Sequence, residues 1–127
     1  MQFSLEPEAL SVSGVQIAVG DSNYFEIGYA TAQQLFYIDR SKSGNTTFNE
    51  NFKKASRFEK IIPLQKEKIQ VQIYFDNSIA EVFVNGGEAA FTAQLFPNAN
   101  DKGIVLFSKG GKSKFGNVTV QQKTTVW

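Results

Sequence analysis

Residues 69–88 read IQVQIYFDNSIAEVFVNGGE. In the first part Ile69, Val71, Ile73 and Phe75 alternate with Gln70, Gln72 and Tyr74. A period of two with one apolar face predicts a half-buried antiparallel strand. Asp76, Asn77 and Ser78 then predict a tight turn, because Asp and Asn tolerate left-handed backbone and bond locally. The next run sets Ala80, Val82 and Val84 on one face and Ile79, Glu81 and Phe83 on the other. Asn85-Gly86-Gly87 predicts a second turn of the hairpin type. Three consecutive antiparallel strands follow.

The same texture extends in both directions. Short runs of Val, Ile, Thr and aromatic residues are separated by clusters of Gly, Asn, Asp and Ser. Strands are predicted at 14–20, 23–30, 34–39, 57–62, 68–75, 79–85, 88–95, 103–108 and 114–122. No stretch has a sustained helical period. About nine short strands imply an all-β fold, a two-sheet antiparallel β-sandwich of jelly-roll or lectin-like type. The longest polar stretch, 41–56, contains Phe48 and Phe52 and is expected to be a surface connection pinned by a ring.

The chain has 127 residues, enough for a single domain, 1–127, with a core of its own. It contains no cysteine and no histidine. Disulfides, thiol catalysis and cysteine-ligated zinc are therefore excluded, and so is the commonest general base. A net charge of +1 gives no broad pull toward nucleic acid. No apolar run reaches spanning length, so membrane insertion is not expected. Met1 is the sole methionine, which suits a fragment cut at a domain boundary. The first 39 residues carry acids and no base, and Lys and Arg concentrate in 40–68; such blocks are usually solvated faces.

Several motifs invite chemistry and have plainer readings. Gly110-Gly111-Lys112-Ser113 resembles part of a phosphate loop, but Leu106 stands where its first glycine is needed, and a strand pattern follows. It reads as a β-turn. Asn45-Thr46-Thr47 and Asn117-Val118-Thr119 match a glycosylation acceptor that is common by chance. No spaced calcium-loop pattern appears, and no metal or cofactor is assigned. Asp39, Asp76 and Glu81 lie at or within apolar strands. Asp39 and Asp76 read as turn caps, with Arg40 pairing one of them. Glu81 reads as a carboxylate on an open sheet face. Tyr24, Tyr29, Tyr37, Tyr74 and Trp127 could stack on sugar rings, though packing is the commoner role of such residues.

Three segments together carry a resemblance: Ile27-Gly28-Tyr29; then Leu35 to Gly44, LFYIDRSKSG; then Ile73 to Glu88. Phe96-Pro97, Ile104 to Phe107 and Val126-Trp127 extend it. The chain resembles the C-terminal β-sandwich domain of glycoside hydrolase family 32, the invertases, levanases and inulinases. Asn77 and Ile79 stand where that family often has Arg and Ser, and Gly86 replaces a usual Asp. The family's catalytic carboxylates belong to a separate five-bladed propeller with WMNDPNG, RDP and EC motifs, none of which is present. The resemblance thus implies a non-catalytic accessory domain, a fragment of a larger β-fructosidase, whose partner is the catalytic propeller of the same polypeptide. Export of the parent is implied too, because polymeric fructans are extracellular. The alternative implied is a fructan-binding module, related to carbohydrate-binding module family 66. Its site would gather Asp39, Arg40, Asp76 and Glu81, with Tyr29 or Tyr37 supplying a ring. An independent carboxylate-pair enzyme and a lectin unrelated to fructans are the remaining readings.

Overall fold

The computed structural model describes residues 1–20, 23–41, 57–76, 79–94 and 103–120. Ten strands occupy them: β1 (Gln2–Pro7), β2 (Val12–Val19), β3 (Phe25–Ala30), β4 (Leu35–Asp39), β5 (Arg57–Ile61), β6 (Ile69–Asp76), β7 (Ile79–Val84), β8 (Ala89–Gln94), β9 (Gly103–Lys109) and β10 (Ser113–Thr119). They pair into two five-stranded antiparallel sheets, β10-β1-β6-β7-β8 and β5-β4-β3-β2-β9. A single 3-10 turn, Thr31–Gln33, joins β3 to β4. The expected β-sandwich is present with one strand more than predicted. The extra strand is β1, whose apolar alternation is confined to Phe3 and Leu5 and is cut by Pro7. It lies between β10 and β6, well inside the first sheet.

The alternation of 69–84 sets the core. Ile69, Val71 and Ile73 of β6 and Ala80, Val82 and Val84 of β7 are buried, facing Val15, Phe25, Ile27, Tyr29, Phe36 and Ile38 of the second sheet. Phe36 and Phe91 meet across the sandwich with ring centroids 5.5 Å apart. Burying a Val, Leu, Ile or Phe side chain contributes roughly 1.5–3 kcal/mol before entropy, so this shared apolar layer holds the two sheets together. Phe75 departs from the pattern. It keeps the phase of its strand yet is 41% exposed, because β6 runs past the packed centre there.

The turns sort to the two ends of the sandwich. Val84 passes to Ala89 through Asn85, Gly86 and Gly87, all at positive φ, as the hairpin signal requires. Asn85 Oδ1 accepts a 2.9 Å bond from the amide of Gln70, locking that hairpin to the start of β6. Gly110 (φ 74°) turns β9 into β10, and a strand follows, as read for GGKS. At the opposite end Asp76 pairs with Ile79, Ile79 with Gln94, and Glu26 with Asp39. Asn77, Ser78, Phe48, Phe52, Asn45 and Trp127 lie outside the described residues.

Candidate functional site

The β4 register places Tyr37 and Asp39 on the outer face of the second sheet. Cross-strand rows run Arg57–Asp39–Glu26–Gln16 and Glu59–Tyr37–Gly28–Gly14. Tyr37 lies flat across Gly28. A Cβ on that glycine would come within 2.5 and 2.8 Å of the ring atoms Cζ and Cε1. The Tyr37 hydroxyl donates a 2.7 Å bond to Glu26 Oε2, and the Gln16 amide donates a 2.9 Å bond to Glu26 Oε1. The Arg57 guanidinium stacks 4.1 Å above the Tyr37 ring. It also reaches Asp39 at 3.5 Å and Glu59 at 3.4 Å. Tyr37 is consequently 2% exposed. Burial first, then the Glu26 carboxylate, push its phenol pKa well above the ordinary value.

Asp39 has the capping role the sequence suggested, accepting a 2.9 Å bond from the Ser41 amide. Arg40 is the residue expected to pair with Asp39 or Asp76; the ion-pair partner of Asp39 is Arg57, brought beside it by the β4–β5 pairing. Arg40 instead donates to the carbonyl of Gln94 at 3.1 Å, linking the end of β4 to the edge strand of the other sheet. Its guanidinium lies 5.7 Å from the Phe58 ring centroid.

The other predicted site residues do not converge there. Tyr29 points into the core, fully buried, and its hydroxyl donates a 2.6 Å bond to the Ile62 carbonyl. It has no surface to offer a ligand, which removes it from the predicted set. Burial also raises its pKa. Glu81 sits on the outer face of the first sheet, opposite Tyr74, and is exposed. The sandwich thickness therefore separates it from Asp39. Asp76 is exposed at the end of β6, at the same end as Arg40 through the Asp76–Ile79–Gln94 series. Glu26, Arg57, Gln16 and Glu59 complete the second-sheet cluster and were not foreseen. The alternation of 25–30 already put Glu26 and Gly28 on one face. The register that adds Arg57 is a long-range pairing.

The family described as "Glycosyl hydrolases family 32 C terminal" matches residues 1–122. The chain belongs to this family. A levanase of Bacillus subtilis (strain 168) is 29% identical over 126 residues, covering 99% of the chain and 18% of that enzyme. An extracellular exo-inulinase of Aspergillus niger is 35% identical over 101 residues, covering 79% of the chain and 18% of that enzyme. The crystal structure of an exo-inulinase from Aspergillus awamori superposes with a TM-score of 0.77 at 26% identity, over 91% of the chain and 24% of that structure. The chain thus spans under a fifth of the two curated relatives. Among its described residues, the family 32 C-terminal domain groups no three His, Cys, Asp or Glu side chains able to hold a metal. No helix among them is long and apolar enough to cross a membrane. What the outer-face cluster can do is hydrogen-bond hydroxyls. Carboxylates of Asp39 and Glu59 accept, the Arg57 guanidinium donates, and all three remain partly exposed.

Proposed function

We propose that this domain is the accessory sandwich of an exported β-fructosidase, packing against the catalytic propeller and stabilising it. The observation that supports this is the free edge formed by β9 and β10. Each ends its sheet, and together they expose Ile104, Val105, Leu106 and Val118, with Val120 just beyond. Edge strands are normally kept short, charged or covered, so a continuous apolar edge calls for a cover. Relatives several times longer than this chain carry ample polypeptide to supply one. On this reading the parent hydrolyses β-fructosidic bonds with two propeller carboxylates, one nucleophile and one general acid. The domain itself takes no chemical step.

The test compares Val105→Asp in the full-length polypeptide and in the isolated chain. The substitution should lower the melting temperature of the full-length protein by several degrees and leave the isolated chain within about 2 °C. Equal shifts in both would refute docking at this edge.

A second reading, fructan binding, is favoured by the convergence of the partly exposed Asp39, Arg57 and Glu59 on one sheet face, over a Tyr37 that is itself buried beneath Arg57. Calorimetry with levan and inulin tests it. Asp39→Ala should abolish binding while leaving the domain folded, and binding that survives would discard this site.

A further inference from the structure

We propose that the outer face of the first sheet is a second ligand surface, a platform for a neutral polysaccharide chain. It lies on the opposite side of the sandwich from the Asp39–Arg57 cluster and does not depend on that cluster binding sugar.

Two adjoining depressions form it. One, of about 460 Å³, is lined by Gln72, Tyr74, Glu81, Phe83, Gly86 and Gly87. The other, of about 180 Å³, is lined by Gln2, Ser4, Gln70 and Asn117, with the buried Phe3 and Val71 at its floor, and shares Gln72. Because β10, β1, β6 and β7 are consecutive in the sheet and both depressions include Gln72, the two adjoin as a trough across four strands. Neighbouring strands are about 4.8 Å apart, so together they span roughly 14 Å, room for at least two linked sugar rings.

Its chemistry is selective. Tyr74 is 54% exposed and is braced edge-on by Phe83, with ring centroids 5.8 Å apart. A fixed, solvent-facing ring offers stacking area to the apolar face of a sugar at little entropic cost. Around it stand primary amides and hydroxyls, which both donate and accept, as sugar hydroxyls do. A Cβ at Gly86 or Gly87 would meet nothing within 4 Å, so that end of the trough is open. Among the described residues, Glu81 is the sole ionisable side chain lining either depression. No described lining residue is a cation, and Lys68, just beyond Gln70, is paired with Glu6 at 3.1 Å, so the described lining gives phosphate or nucleic acid little to anchor on. The scarcity of aliphatic side chains distinguishes this face from the apolar β9–β10 edge and from a protein-binding core. Glu81, midway along β7 and opposite Tyr74, is placed to accept from vicinal hydroxyls of a stacked ring.

Affinity electrophoresis and calorimetry on this chain test the proposal, with levan, inulin, soluble starch and xyloglucan as probes. At least one probe should retard the chain. Tyr74→Ala should weaken that binding at least tenfold and Gln72→Ala several-fold, with melting temperatures unchanged, while Asp39→Ala leaves it intact. Absence of retardation by all four probes would overturn the platform. Retardation abolished by Asp39→Ala and indifferent to Tyr74→Ala would overturn it too, assigning the binding to the other sheet. So would Tyr74→Ala destabilising the full-length polypeptide without changing glycan binding, since the face would then be a domain interface.

Discussion

The hydroxyl of Tyr37 is fixed 2.7 Å from the Glu26 carboxylate, across the antiparallel pairing of β3 and β4. The bond needs the phenol protonated. Burial and the adjacent negative charge hold that proton to well above the usual tyrosine range. A group whose folded pKa is raised contributes stability that is complete below its unfolded value, here near pH 10. That contribution fades as pH rises toward the folded value. The domain should therefore lose stability progressively above about pH 10, and Tyr37→Phe should flatten that decline. At neutral pH the same variant should cost about 1–3 kcal/mol, since it leaves Glu26 with one bond fewer. Urea unfolding across pH 7–11 measures both, and a decline as steep in the variant as in the parent chain would discard the account.

Gly28 makes that bond geometrically available. Any side chain there would collide with the Tyr37 ring. Gly28→Ala should destabilise by about 1–3 kcal/mol, the usual cost of overpacking. In a Tyr37→Ala background the obstacle is gone, and the glycine substitution should cost much less. A double-mutant cycle by urea unfolding reads this coupling, and strictly additive effects would contradict it.

These contacts mark where sequence reading stops. The strand phase of 69–84 is a local property, and it located Ile69, Val71, Ile73, Ala80, Val82 and Val84 in the core correctly. Glu81 on an open face followed from the same phase. Tyr29 shares the phase of Phe25 and Ile27, and Tyr37 that of Asp39, but phase alone does not say what each phenol meets. The fold separates them: one phenol enters the core, and the other crosses a glycine on the outer face. Arg57 reaches Asp39 only because β5 pairs with β4 in one register, which a polar connection does not encode. β1 was missed because its partners, β10 and β6, lie more than sixty residues away.

A set of serines joins β2 to the β9–β10 hairpin. Ser113 Oγ lies 2.9 Å from Ser13 Oγ, 3.2 Å from Ser11 Oγ and 3.1 Å from Ser108 Oγ. Ser13 is fully buried, and Ser11 nearly so. Ser11 keeps a separate 2.8 Å bond to the Glu8 carbonyl. Removing the hub should therefore hurt more than removing that arm. Ser113→Ala leaves the buried Ser13 hydroxyl short of a partner and should cost about 1–3 kcal/mol. Ser11→Ala should cost about 1 kcal/mol or less. Thermal melts rank the two, and the reverse order would show that the hydroxyls do not act as a hub.

Arg57 separates stability from recognition in the second-sheet cluster. Its ion pairs with Asp39 and Glu59 are long, 3.5 and 3.4 Å, and its side chain is 43% exposed. Exposed pairs of this kind are screened and contribute about 0–1 kcal/mol. Stacking on Tyr37 adds a comparable amount, part of which an aliphatic stem retains. Arg57→Met should thus cost about 1 kcal/mol or less in urea unfolding, with little dependence on salt. Sugar recognition should respond far more strongly. The guanidinium is the cluster's exposed donor, since Tyr37 and Gln16 donate to Glu26, and its loss leaves the Asp39 and Glu59 carboxylates, which accept only. On the fructan-binding reading Arg57→Met should weaken levan or inulin binding at least tenfold, and Arg57→Lys should restore only part, because a point charge cannot span Asp39 and Glu59 as a planar fork does. Calorimetry on the three proteins decides it. Equal affinities would confine the cluster to stabilising the sheet, and a large loss of stability in Arg57→Met would show that the stacked guanidinium belongs to the fold itself.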